Sequence, residues 1–286
     1  MSSALAAGPL AHHEAARVNP PQHESVPSDG FVRFAGVSVH YGTGPSTVRA
    51  LERADLSFGQ GDFICIVGPS GCGKTTMMQT LAGFLAPTEG IVTLDGQRIQ
   101  GPGPERGVVF QQPSLFPWMD VAANAGFGPR MRGEQAAAIA ERVERWLRTT
   151  GLWEFRDRYP YELSGGMQQR LAIARALCNE PKVLLMDEPF GALDALTRER
   201  MQEELHAVWR RTGMTVIFIT HSVEEAVYLG TEVVVMSPRP GRIVERIPVP
   251  FAREKADASI RAVKSSPDFV AMRERVLSLI WSMGED

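Results

Sequence analysis

The sequence predicts an α/β fold built on a mostly parallel core sheet, and three observations predict it. Short, mainly apolar runs at residues 63–67, 183–186 and 215–220 lack polar alternation, as suits strands buried on both faces. Stretches with helical periodicity separate them, which is the pattern of strand–helix–strand crossovers. Glycine-rich or acidic turns stand where strands hand over to helices, the edge at which such sheets bind ligands.

Taken in order, residues 1–30 are rich in Ala, Pro, Ser and His, have no periodicity, and are expected to form a disordered tail. His12, His13 and His23 are scattered through it and are not read as a metal site. Residues 31–34, 37–41 and 48–58 alternate as strands. Residues 74–83 read as a helix ending at Gly83. Short strands are expected at 91–94 and 107–110. Between about 112 and 166 the texture becomes helical, with Ile139, Val143, Trp146 and Leu147 on one face of a helix over 136–149. A strand at 182–186, a helix at 195–212, a strand at 215–220, a helix at 223–229 and a strand-length run at 233–236 complete a main domain spanning 31–250. A polar, helical C-terminal extension is expected over 251–286.

Composition narrows the function. The chain has 286 residues, 44% hydrophobic and 22% charged, which is ordinary globular usage and excludes collagen, coiled coil and disorder throughout. A net charge of −3 gives no basic footprint, so no nucleic-acid partner is expected. Three cysteines (Cys65, Cys72 and Cys178) without CxxC spacing argue against a disulfide framework and against zinc. No apolar run approaches the ~20 residues that cross a bilayer. The N-terminus lacks a basic region followed by an apolar one, so it is not read as a secretory signal.

Three motifs carry the chemistry. Gly68-Pro69-Ser70-Gly71-Cys72-Gly73-Lys74-Thr75 fits G-x-x-x-x-G-K-[ST], a phosphate-binding loop, with Thr76 following. Its glycines let successive N–H groups turn inward toward phosphate oxygens, and the following helix adds its positive end. Lys74 is expected to reach the β- and γ-phosphates and Thr75 to ligate Mg²⁺. Cys72 is read as a spacer in that loop, since no basic group beside it would activate a thiol. Residues 183–186 then lead to Asp187 and Glu188 at a strand's C-terminal end. Asp187 is expected to hold Mg²⁺, and Glu188 to polarise an attacking water. The third motif is Leu163-Ser164-Gly165-Gly166-Met167, with Ser164 as a natural helix cap. One nucleotide cannot easily use two anion-binding helix ends of a single chain, which suggests a site shared by two chains.

With these motifs in this order, the sequence resembles the ATP-binding-cassette ATPases over about residues 31–250. LSGGM resembles the signature usually written LSGGQ, with Met167 in place of the final Gln. The resemblance implies an antiparallel β subdomain and a helical subdomain beside the phosphate-loop core. It implies that Tyr41 stacks on adenine, that Gln111 senses Mg²⁺ and water, that Gly191-Ala192-Leu193-Asp194 forms the loop after the acidic pair, and that His221 contacts the γ-phosphate. It also implies ATP and Mg²⁺ as cofactors, with Thr75, Gln111 and Asp187 toward the metal. Glu188, His221, Gln111 and Lys74 would serve in catalysis, and Ser164, Gly165 and Gly166 would close on ATP bound to a second, head-to-tail copy.

Finer features resemble the nitrate, sulfonate and taurine importer group. These are residues 101–111, Leu115-Phe116-Pro117-Trp118, and Phe190-Gly191-Ala192-Leu193-Asp194. The tail from Lys264 to Glu274 is most similar to the taurine members. That implies integral-membrane permease subunits and, through them, a solute-binding protein as partners. It also implies a peripheral place on the cytoplasmic face of the inner membrane, with Trp118 and Phe127 expected near a permease-docking groove. The alternatives are a soluble cassette ATPase acting on nucleic acid or ribosomes, a phosphate-loop kinase, and a regulatory ATP binder that does not hydrolyse. The first lacks a basic groove or second cassette, the second has no use for Ser164-Gly165-Gly166, and intact Glu188 and His221 speak against the third.

Overall fold

The computed structural model describes residues 30–283 other than 43, 192 and 255–257. The expected tail, Gly30 excepted, and Ala192 therefore lie outside the described residues. Two sheets organise the chain. Strands β1 (Val32–Tyr41), β2 (Val48–Phe58), β4 (Glu89–Leu94) and β5 (Gln97–Arg98) form an antiparallel sheet in the order β2-β1-β4-β5. Strands β3 (Phe63–Val67), β6 (Arg106–Val109), β7 (Val183–Asp187), β8 (Thr215–Ile219), β9 (Glu232–Ser237) and β10 (Arg242–Pro248) form the second, in the order β10-β9-β3-β8-β7-β6. There β3 pairs in parallel with β8 and β9, and β7 with β6 and β8; only β10 runs antiparallel to its neighbour.

The two alternating stretches expected at 31–34 and 37–41 are one strand. Its register against β2 shifts between Phe34 and Val37, where Gly36 takes a φ of +57°. An extra residue inserted into a strand interrupts side-chain alternation, so the sequence shows two short periods where the backbone makes one strand. β10 was not expected at all. It reads Arg-Ile-Val-Glu-Arg-Ile-Pro and is mostly exposed, so no apolar run announces it.

The helices are α1 (Lys74–Ala82), α2 (Val121–Ala125), α3 (Phe127–Met131), α4 (Ala136–Thr149), α5 (Gly165–Leu177), α6 (Ala195–Thr212), α7 (Val223–Leu229), α8 (Phe251–Glu254), α9 (Ile260–Lys264) and α10 (Pro267–Ser282). Every residue of β3 is buried, and its two faces serve two cores. Phe63, Cys65 and Val67 join Leu171, Phe218 and Val227 on one side. Ile64 and Ile66 join Phe34, Leu56 and Met78 on the other, where the antiparallel sheet and α1 pack. This double burial places the loop after β3 between two close-packed layers. Truncating Phe63 to Ala there costs about 3–5 kcal/mol.

α2 to α4 occupy the span expected to be helical, with Ile139, Val143, Trp146 and Leu147 as the buried stripe of α4. Buried Asn124 organises the loop leading into them. Its amide donates to the carbonyls of Phe116 (3.0 Å) and Met119 (2.9 Å), and its Oδ1 accepts from Phe116 N–H (2.9 Å). The C-terminal segment is helical but not simply polar. Phe251, Ile260, Val263, Phe269 and Val276 are buried in the same core as Phe218 and Val227. Their spacing is irregular because three separate helices deliver them, two of them only four and five residues long, so no single periodicity spans them.

Candidate functional site

Because β3 ends in the buried Val67, the chain turns back over the sheet edge at once. Gly68, Gly71 and Gly73 take φ of +155°, +78° and +90° in that turn. A Cβ on Gly68 would lie 2.5 Å from the Met236 carbonyl oxygen, and one on Gly73 2.7 Å from that of Ala50. Only glycine fits these two approaches, while a Cβ on Gly71 would meet nothing within 4 Å. The loop is thus a backbone cradle pressed against β2 and β9, open at its crest.

Lys74 opens α1 and is 9% exposed. Its ammonium donates to the carbonyls of Gly68 (2.8 Å) and Pro69 (3.1 Å), which holds the charge inside the loop. Contrary to the expectation of no basic group beside it, the Cys72 thiol lies 3.7 Å from the Lys74 ammonium; burial outweighs that charge and pushes the thiol up. Thr76 comes within 3.4 Å of the Tyr41 hydroxyl. Tyr41 ends β1 with 41% of its surface exposed beside the loop.

β7 delivers the carboxylates. Thr75 Oγ1 donates to Asp187 Oδ2 at 3.1 Å, joining the loop to the strand end. Burial is the main influence on Asp187 and raises its pKa; the Thr75 bond and Lys74 oppose this, and the neighbouring Glu188 charge adds to it. Such a group is relieved by a bound cation. Glu188 follows with a φ of +46°, left-handed backbone that a residue with a Cβ rarely adopts. Its N–H donates to the Ile219 carbonyl (2.9 Å), which holds that conformation against β8. Glu188 Oε2 then accepts from the Gln111 amide (3.3 Å) and lies 3.3 Å from His221 Nδ1. Three residues named from separate stretches of sequence thus meet at one carboxylate oxygen.

The Ser164 motif caps α5, with the Ser164 hydroxyl accepting from Met167 N–H (3.3 Å). Ser164 and Gly165 are exposed, and Met167 is partly buried against the main core. Among the described residues no hydrogen bond or ion pair joins Ser164, Gly165 or Gly166 to Lys74, Asp187, Glu188 or His221. α5 reaches the Glu188 side indirectly, through the buried Gln169 donating to the Phe110 carbonyl (3.3 Å) just before Gln111. Asp194 is exposed and caps α6 by accepting from Thr197 N–H (3.0 Å); the contacts to Thr197 hold its carboxyl below the usual range. The described residues therefore form one cluster around Lys74, Thr75, Gln111, Asp187, Glu188 and His221, with the Ser164–Gly166 helix start standing apart from it.

Sequence reasoning missed the Glu188 backbone conformation, since nothing in Asp-Glu-Pro-Phe announces it. It also missed Gln169, an ordinary polar residue on a helix. Of the two aromatics expected at a docking groove, Phe127 lines a surface groove of about 580 Å³ together with Phe84, Phe110 and Phe116. Trp118 stands 69% exposed beside Phe116, with ring centroids 5.7 Å apart.

Comparison with known proteins agrees with this fold. A family model described as ABC transporter matches residues 51–191. A taurine import ATP-binding protein, TauB, of Jannaschia sp. (strain CCS1) is 52% identical over 240 residues, covering 84% of this chain and 90% of the relative. The TauB of Escherichia coli O157:H7 is 48% identical over 236 residues, covering 82% and 92%. Among solved structures, the dimeric post-hydrolysis ATP-binding cassette MJ0796 bound to ADP and Pi superposes with a TM-score of 0.68 at 30% identity, covering 76% of this chain and 98% of that one. The cbiO1 subunit of the Clostridium perfringens transporter complex cbiONQ gives 0.71 at 28% identity, covering 85% and 97%.

Proposed function

The chain belongs to the ABC transporter ATP-binding family, and from that premise we propose that it is the energy-coupling subunit of an importer for taurine or a related sulfonate. The observation that carries the hydrolytic reading is the convergence of Gln111 and His221 on Glu188 Oε2, beside the Thr75–Asp187 contact. The cargo reading is supported by the taurine import relatives, which match this chain over most of both lengths.

In this reading the loop N–H groups and Lys74 hold the phosphates of ATP, and Tyr41 offers its exposed ring to the base. A glycine cradle that leaves no room for side chains at positions 68 and 73 suits close approach of phosphate to backbone. Thr75 and Asp187 supply adjacent hard oxygens that fit Mg²⁺, with Gln111 nearby; when bound, that ion polarises phosphate oxygens as a Lewis acid. Glu188 orients a water and takes its proton onto a carboxylate oxygen. Gln111 and His221 fix the rotamer of that carboxylate, so little reorganisation is needed when charge develops. Lys74 and His221 stabilise the transferring charge, because phosphoryl transfer relies on positioning and electrostatics more than on covalent help.

Ser164, Gly165 and Gly166 offer a capped helix N-terminus to the phosphates held by a second, head-to-tail copy. Their separation from Lys74 within one chain supports that arrangement, as does the likeness to a dimeric cassette structure. Met167 keeps its backbone N–H on Ser164 and packs its side chain on the core, so the anion-binding backbone survives the exchange of Gln for Met.

The aromatic groove at Phe84, Phe110, Phe116 and Phe127 begins one residue before Gln111, which suits it to receive a permease segment and pass its movement to the site. No helix among the described residues is long and apolar enough to cross a membrane. In this reading the chain is held at the cytoplasmic face of the membrane by its permease, and a solute-binding protein delivers cargo on the other side. Reconstitution with a co-expressed permease and solute-binding protein tests it. ATP-dependent uptake of labelled taurine that disappears in Lys74→Ala supports the proposal. Uptake of nitrate alone, or uptake unaffected by Lys74→Ala, rejects it.

A further inference from the structure

A continuous polar network runs from the C-terminal extension to the turn that carries His221. It begins at Lys264, the last residue of α9, whose side chain is 13% exposed. The Lys264 ammonium donates to Gln202 Oε1 on α6 (3.1 Å) and pairs with Glu224 on α7 (2.8 Å), with the Tyr228 ring centroid at 5.7 Å. The amide of buried Gln202 donates in turn to Glu225 Oε1 (3.2 Å). Glu225 is itself buried, 6% exposed, and its other oxygen accepts the Thr220 hydroxyl at 2.5 Å. Thr220 Oγ1 then accepts from Ser222 N–H (3.0 Å). Thr220 and Ser222 flank His221, so this last bond closes a turn around the histidine backbone.

Each link constrains the next. Gln202 offers its carbonyl to Lys264 and its amide to Glu225, so the ammonium fixes which way the amide faces. A Glu225 carboxylate with one oxygen on Gln202 and the other on Thr220 has its plane fixed as well. Arg198 Nε stands 3.8 Å from Glu225 Oε1, and its Nη2 donates to the Leu193 carbonyl (2.9 Å), so the same carboxylate also borders the turn before Asp194. Buried chains of this kind are stiff when every member is satisfied and loosen when one end is removed. α9 is a separate element, anchored by buried Ile260 and Val263, and it supplies the terminal cation.

We propose that Lys264 is a positioning residue for His221, acting through Gln202, Glu225 and Thr220, so that the C-terminal extension holds the histidine turn in its working conformation. This rests on the reading of His221 as a group that stabilises transferring charge. The test uses the full chain as wild type, Lys264→Met, which keeps the apolar stem, Lys264→Arg, and His221→Ala. ATP turnover is resolved into kcat and KM, and the His221 ring is followed in ¹³C-histidine NMR, its cross-peak assigned by its loss in His221→Ala. Lys264→Met is expected to lower kcat about three- to tenfold with KM for ATP nearly unchanged and to move the His221 cross-peak, and Lys264→Arg to restore both. A cross-peak that stays in place in Lys264→Met overturns the proposal, whether or not kcat falls, because an effect that leaves the ring unmoved does not pass through His221. An unchanged kcat with a moved cross-peak overturns the functional half. Should His221→Ala turn over like wild type, it is the reading of His221 that fails, and the cross-peak alone then decides whether Lys264 and His221 are coupled.

Discussion

Thr75 Oγ1 and Asp187 Oδ2 lie 3.1 Å apart although 112 residues separate them in the chain. That bond joins the first turn of α1 to the end of β7 and brings together the two groups expected to hold a metal. It only partly compensates Asp187 for its burial, since the carboxyl remains raised above its ordinary value. A carboxyl raised in the folded state binds more protons there than in the unfolded state. Its contribution to stability therefore falls as pH rises from the ordinary Asp range through the folded pKa. Asp187→Asn removes that penalty. The variant is expected to melt above wild type at neutral pH, with the difference shrinking as the pH is lowered toward the carboxylate range, and to lose Mg²⁺-dependent hydrolysis. Thermal unfolding at several pH values and a turnover assay check both parts; a lower melting temperature for the variant at neutral pH counts against this view of the site.

The loop glycines separate strain from collision. At Gly71 a Cβ meets nothing, so Gly71→Ala bears mainly the cost of left-handed backbone, about 1–2 kcal/mol. At Gly73 the same backbone conformation comes with a Cβ 2.7 Å from both the Ala50 carbonyl oxygen and Leu51 Cδ2, so Gly73→Ala costs about 3 kcal/mol or more. Urea denaturation of the two variants gives the order directly.

At the Ser164 helix start, Ser164→Ala removes the hydroxyl that accepts Met167 N–H. It is expected to cost about 1 kcal/mol of stability and, in the proposed head-to-tail pair, to abolish hydrolysis by removing a hydroxyl offered to the phosphates of the second copy. Met167→Gln restores the commoner side chain without touching the cap, and turnover is expected to stay within about twofold of wild type, the capping hydroxyl and backbone N–H groups being the main anion-binding groups. Parallel turnover assays distinguish these; equal losses in both variants would falsify the division of roles.

Much of this site is legible in sequence because its motifs are local. A phosphate loop needs its glycines at fixed offsets, and an acidic pair at a strand end follows an unbroken apolar run, so positions 68–75 and 187–188 declare themselves. Gln111 and His221 carry no such pattern. They were named through family resemblance, and only the parallel order of β6, β7 and β8 brings them to the Glu188 edge. The Glu188 φ of +46° was not legible, because β8 imposes it through the Ile219 carbonyl. β10 was missed since an exposed antiparallel strand needs no apolar run. The buried face of the C-terminal segment was missed since α8, α9 and α10 each supply only two of its buried residues. The Lys264–Gln202–Glu225–Thr220 network lies across three helices and a strand end, and no spacing rule connects such residues.

The most direct measurement compares ATP hydrolysis by wild type and Glu188→Gln, with size-exclusion chromatography in ATP and Mg²⁺. The substitution keeps the shape of the side chain and its contacts to Gln111 and His221 within reach, but leaves no carboxylate to take the proton from water. Turnover is expected to fall about 10²–10⁴-fold while ATP still binds, with the variant eluting as an ATP-dependent dimer. Hydrolysis at the wild-type rate in Glu188→Gln would contradict the assignment of Glu188 as the base on which Gln111 and His221 converge.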